Sequence, residues 1–210
     1  MAIFYLIRHG ETDYEPVESL GFIGHGRDLA PLTALGIRQL ERTARDPRLQ
    51  GCGRLLCSPY TRAMQSASIL SRRLDIPLTV EVELHEWLHD TSFQAQTMDR
   101  ITPLCEDFLA CRGAWPHGET RPWEQIADLQ RRLAGVMARY QAEERVIVVC
   151  HAMLIHSLAN PPAAGLPLRW EVAGDRFDGE PFSMAGDLRN GEIVEIYTES
   201  RQMDSEERPC

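Results

Sequence analysis

Three short apolar runs each end in charged or nucleophilic residues, and this repeated pattern limits the possible folds more than any other feature. Residues 2–7 run into Arg8-His9-Gly10. Arg54–Cys57 runs into Ser58-Pro59, with Arg62 one turn on, and Arg145–Cys150 runs into His151-Ala152. Apolar, β-favouring runs of this length read as buried strands. The stretches between them carry apolar residues at helical spacing. Strand alternating with helix predicts an α/β fold: a three-layer sandwich with a mainly parallel central sheet and helices on both faces. In such sheets ligands bind beyond the carboxyl ends of the strands, where these residues fall.

The coarser reading fills in the rest. Residues 14–31, with Gly21, Gly24 and Gly26, read as a long irregular loop. Thr33 reads as the N-cap of a helix to about residue 45, with Leu35, Leu40 and Ala44 among its apolar positions. Ser58-Pro59 reads as N-cap and N1 of a helix to residue 73. Residues 78–84 alternate like a strand. Residues 94–111 read as a helix that Pro103 kinks or breaks, and residues 115–119 as a turn-rich link. Residues 123–143 read as a helix, and residues 152–158 as one stopped by Pro161-Pro162. Asn190-Gly191 predicts a hairpin between residues 183–188 and 192–197. The last dozen residues read as a loose tail. Nothing divides the chain, so one domain over 1–210 is expected.

Composition narrows the chemistry. The chain has 210 residues and a net charge of −9, and all 22 of its basic residues are Arg. Without Lys there is no P-loop and no Schiff-base enzyme. The acidic balance argues against nucleic acid and anionic membranes as partners. The amino-terminal apolar run is too short for a signal peptide or a span. The six cysteines show no framework and no Cys-x-x-Cys spacing. They read as reduced thiols in a cytoplasmic protein, with no metal site.

The residues at the strand ends suit a phosphoryl group. His9 is a nucleophile near neutrality, held by a loop at a strand end. Arg8, Arg62 and His151 offer donors to phosphate oxygens. Glu86, after the residue 78–84 strand, is the candidate general acid, with Glu83 as the alternative carboxyl. His25, His85, His89, His117 and His156 read as surface or core residues; His25 lies in the glycine-rich loop.

Residues 6–12, Leu-Ile-Arg-His-Gly-Glu-Thr, resemble the signature of the histidine phosphatase superfamily, branch 1, the phosphoglycerate-mutase-like proteins. The resemblance continues in order. It takes in Asp28 with Pro31-Leu32-Thr33 and Gly36, residues 58–63, Leu84-His85-Glu86, Gly118-Glu119-Thr120, and Val148-Val149-Cys150-His151. It implies a phosphoglycerate-mutase-like fold and a phosphohistidine formed at His9. It further implies Glu86 as proton donor and acceptor, and Arg8, Arg62, His151, Thr12 and the Ala152 backbone as phosphate ligands, with no metal and no cofactor. A small phosphorylated substrate follows. Three departures stand out. Ala152 replaces a frequent Gly, Trp87-Leu88-His89-Asp90 follows the acid, and the Trp-Asn of cofactor-dependent mutases is missing after Thr12. The last favours a metal-independent phosphatase over a mutase. A non-catalytic phospholigand-binding protein is the alternative from a different class.

Overall fold

The computed structural model describes residues 1–174 and 188–200. In chain order its elements are β1 (Ala2–Arg8), α1 (Glu15–Glu18), α2 (Ala34–Thr43), β2 (Arg54–Cys57), α3 (Thr61–Leu74), β3 (Leu78–Val80), α4 (Met98–Ala110), α5 (Ile126–Arg139), β4 (Arg145–Cys150), α6 (Ala152–His156), β5 (Leu168–Val172) and β6 (Ile193–Ser200).

Alternation along the central strands sorts the core into two layers. Phe4 and Leu6 of β1, with Val146 and Val148 of β4, lie in one apolar cluster with α5 and α6. Tyr5 and Ile7, with Ile147 and Val149, lie in the other with α2 and α3. Successive strand side chains point to opposite faces, so a strand covered on both faces is apolar throughout. The six strands are ordered β3-β2-β4-β1-β6-β5. The first four are mutually parallel; β6 runs antiparallel to both β1 and β5. The sheet is therefore mixed, with helices on both faces. Among the described residues no helix is long and apolar enough to cross a membrane.

Several local expectations are corrected by specific hydrogen bonds, some local and some tertiary. The helix expected from Ser58 begins at Thr61, with Tyr60 as N-cap. The Ser58 backbone still pairs with strand β4, through Val149 O at 3.0 Å. The expected strand over 78–84 ends at Val80, because its partner β2 ends opposite it at Cys57; Val82–Leu84 is a 3-10 turn. The helix expected from residue 94 begins at Met98. The Asp90 carboxylate accepts the backbone N–H groups of Ser92, Gln94 and Ala95 at 2.7–2.9 Å, which holds that stretch as a loop. Pro103 lies inside α4 without breaking it.

The helix expected over 123–143 is Ile126–Arg139, started by a Gln125–Asp128 capping box. The 14–31 loop contains α1 and a 3-10 turn, Gly24–Leu29. Leu35 is exposed, whereas Leu40 and Ala44 are buried. Gly191 occupies a left-handed turn, and β6 pairs with β1 and β5. Residues 183–187 of the expected hairpin and the tail 201–210 lie outside the described residues.

Candidate active site

The sheet register brings the three strand ends together. Arg8 pairs with Cys150 and Cys57 with Val149, so His9, Ser58 and His151 emerge side by side. The His9 backbone N–H donates to Cys150 O at 3.1 Å. Its ring is 7% exposed and lies 5.1 Å, centroid to centroid, from the His151 ring, edge to face. Nδ1 stands 2.7 Å from Gly10 O. A carbonyl only accepts, so Nδ1 carries the hydrogen and Nε2 keeps its lone pair. Burial, with the Arg62 and Arg8 guanidinium groups adding to it, pushes the His9 pKa down to about 3. The ring is thus neutral at pH 7, with a free nitrogen.

The loop holding His9 is fixed from three sides. Gly10 N–H donates to Ser66 Oγ at 3.0 Å. Thr33 caps α2 by accepting from Gly36 N at 2.9 Å, and its hydroxyl donates to Glu11 Oε2 at 2.6 Å. The helix approaches so closely that a Cβ on Gly36 would lie 2.3 Å from Glu11 O. From the far end of the chain, Asn190 Nδ2 donates to His9 O at 2.8 Å, and Arg8 Nη1 donates to Leu188 O.

Arg62, on the first turn of α3, is buried over the Tyr60 ring, with its Nη1 3.1 Å from Asp28 Oδ1. His151 Nε2 lies 2.7 Å from Ser58 Oγ. Tyr60 N–H already donates to that oxygen at 3.3 Å. The Ser58 hydroxyl is therefore free to donate to Nε2, which leaves hydrogen on His151 Nδ1. Burial holds the His151 pKa far below the usual histidine value. Arg8 Nε, Arg62 Nε and His151 Nδ1 are all buried without a partner among the described residues. Buried donors are rarely left so; these suit an anion.

Glu86 is partly buried. Its Oε1 accepts from Trp87 N at 2.9 Å and its Oε2 from Met153 N at 3.5 Å, beside His151. Burial pushes its pKa up, against the pull of Arg62 and Arg132. Glu83, the alternative, points away to Arg139 at 2.6 Å. Thr12 Oγ1 lies 3.5 Å from His9 Nδ1, and Ala152 opens α6 next to His151. Cys150 and Cys57, whose thiol pKa values burial pushes up, are core residues.

Two residues escaped the sequence reading. Glu119, matched there to a family segment, is half exposed and pairs with Arg121. The buried carboxylate behind the Glu86 segment is Glu124, paired with Arg132 at 2.6 Å. Arg132 Nη1 donates to Glu83 O and His85 O at 2.6 and 2.7 Å, and Nη2 to Glu86 O at 3.4 Å. Glu124 Oε2 accepts from Leu88 N at 3.2 Å. The available signal was an arginine amid the apolar stripe of Leu129, Leu133 and Val136.

Comparison with known proteins gives the family and the fold. Residues 4–169 match the histidine phosphatase superfamily (branch 1). A Yersinia pestis (strain Pestoides F) protein named probable phosphoglycerate mutase GpmB is 27% identical over 171 residues, covering 80% of this chain and 77% of that one. The mycobacterial glucosyl-3-phosphoglycerate phosphatase solved with VO3 superposes with a TM-score of 0.62 at 23% identity, covering 93% of this chain and 90% of that one. The α-ribazole phosphatase from Shigella flexneri superposes with a TM-score of 0.55 at 24% identity, covering 78% and 83%. At these identities the solved structures speak to the fold alone. The family match spans most of the chain, and the chain belongs to the histidine phosphatase superfamily, branch 1.

Proposed function

We propose that this protein is a metal-independent phosphatase that hydrolyses a small phosphomonoester through a phosphohistidine at His9. The observation that carries the reading is the pairing of a neutral His9, its Nε2 lone pair free, with three buried and unpartnered donors around it. His9 Nε2 attacks phosphorus, and the bond to the ester oxygen breaks. That oxygen takes the Glu86 proton and leaves as the alcohol. The Glu86 carboxylate then takes a proton from water, whose oxygen displaces His9 and releases inorganic phosphate. Arg8, Arg62 and His151 hold the phosphoryl oxygens and stabilise charge as it moves. Thr12 and the Ala152 backbone flank them.

The test is hydrolysis of para-nitrophenyl phosphate in the presence of chelator, with an acid-labile phosphate trapped on His9. His9→Ala should abolish both; equal activity in that variant, or dependence on a metal, refutes the reading. The name of the Yersinia relative favours a second reading, a mutase. Incubation with 3-phosphoglycerate separates the two, by release of phosphate or formation of 2-phosphoglycerate.

A further inference from the structure

Among the described residues thirteen large apolar side chains are exposed, and six of them fall in two short segments: Leu20, Phe22, Ile23 and Leu29 in one, Phe93 and Met98 in the other. The fold sets these segments face to face. The His25 ring stacks on His89 at 5.2 Å with 6° between planes, and lies 4.5 Å from the Phe93 ring. Gly24 approaches Gln96 so closely that a Cβ there would lie 2.1 Å from Gln96 Oε1. One carboxylate ties this wall to the phosphoryl pocket. Asp28 Oδ1 holds Arg62 at 3.1 Å, while Oδ2 lies 3.4 Å from His25 Nδ1.

The polar groups of the second segment are used within it. Ser92 Oγ donates to Asp90, Gln94 Nε2 to Ser92 O, and Gln96 Nε2 to Phe93 O. Asp90 accepts three backbone N–H groups besides. The unpartnered polar atoms of the stacked pair, His25 Nε2 and His89 Nε2, are buried, so the surface that these two segments expose consists mainly of ring faces and alkyl chains. Exposed apolar patches of this kind mark binding sites.

We propose that this wall binds the alcohol portion of the substrate, so that the preferred substrates are phosphomonoesters of alkyl or aryl alcohols rather than of sugars. The inference rests on the reading that the His9 pocket binds and cleaves phosphomonoesters. Its test uses n-alkylphosphonic acids, methyl to hexyl, titrated calorimetrically into the full chain, so that binding is read without turnover. Kd should fall about two- to fourfold per added methylene. The slope should flatten in Phe22→Ser/Phe93→Ser, whose side chains are half exposed; unchanged circular dichroism and unchanged binding of methylphosphonic acid verify the fold.

A flat series in the unaltered protein, or tighter binding of glucose 6-phosphate than of hexylphosphonic acid, overturns the proposal. A flat series with a concentration-dependent dimer that the double variant abolishes assigns the wall to a second copy of the chain, and overturns it too. These outcomes leave the phosphate on His9 intact. Failure of the phosphatase reading shows instead as loss of that phosphate while the chain-length slope persists.

Discussion

Arg132→Met should damage proton delivery more than phosphoryl transfer. In the native protein Arg132 holds the carbonyls of Glu83, His85 and Glu86 and pairs with Glu124 where both side chains are about nine-tenths buried. Removing one partner of a buried pair costs about 3–5 kcal/mol. For a chain of this size that lowers Tm by roughly 10 °C. The Glu86 carboxyl loses its fixed position, and a displacement of about 1 Å is worth roughly 100-fold in rate. That loss should appear only where the leaving oxygen needs a proton.

The assay is kcat across leaving groups, from 2,4-dinitrophenyl phosphate to ethyl phosphate. The nitrophenolate departs unprotonated, so its kcat should stay within a few-fold. Ethyl phosphate should lose about 100-fold, within the range expected of general acid catalysis. Glu86→Gln should show the same selectivity, and adding Arg132→Met to it should cost little more. Glu124→Met/Arg132→Met removes both charges, so Tm should recover while the selectivity stays lost. Equal losses for both substrates in a folded Arg132→Met protein would refute the positioning argument.

Acid should affect His9 late. With its pKa near 3 the nucleophile stays unprotonated through pH 5, so kcat/KM for an aryl phosphate should show no fall centred near 6.5; such a fall that vanishes in His151→Asn would assign the titration to the wrong ring. The same depression makes stability fall on acidification, because between pH 6.5 and about 3 the unfolded chain binds a proton that the native ring refuses. Urea melts at pH 7 and 5 should show this, with a smaller difference in His9→Gln. Glu86 has the opposite sign: its raised pKa means that stability falls as pH rises from the ordinary carboxyl value through the raised one, a slope that Glu86→Gln should remove. Gly36→Ala drives a methyl into the Glu11 carbonyl; an overpacking cost of about 1–3 kcal/mol is expected, with loss of activity toward every leaving group alike. Ser58→Ala removes the hydroxyl that fixes the His151 tautomer, and a shift of that ring's nitrogen resonances should accompany about a tenfold fall in kcat/KM.

The sequence made the centre of the molecule readable and left its edges open. β4 was bounded correctly, because a run buried on both faces has no polar residue to blur its limits. His9, Arg62 and His151 could be located from the sequence because strand ends and a helix start position them, whereas Glu86 follows a 3-10 turn and not the end of the expected strand. Elements next to the site were misjudged where one specific bond outweighed periodicity: the long-range pairing of Ser58 with β4, and two local ones, the Asp90 carboxylate gathering its loop and the Gln125 cap replacing a start at Trp123. Asn190 looked like an ordinary hairpin residue, yet its side chain reaches His9. Glu124 gave no signal until Arg132 was found on a buried stripe. Such pairings are set by the tertiary fold, and periodicity carries no record of them.

The two bonds from the far end of the chain, Asn190 to His9 and Leu188 to Arg8, span 181 and 180 positions. During synthesis at about 5–20 residues per second, the strand that ends in His9 therefore waits roughly ten seconds or more for its last support. Ser66 and Gly36, which bear on the same loop, are made in the first third of translation, whereas β4, Cys150 and His151, which flank His9, come in the third quarter of the chain. The His9 backbone is held on one side by β4, and it is not bonded on the other until the turn before β6 has been made. The last bonds to the strand end that carries His9 therefore come from nearly the last part of the chain to be made.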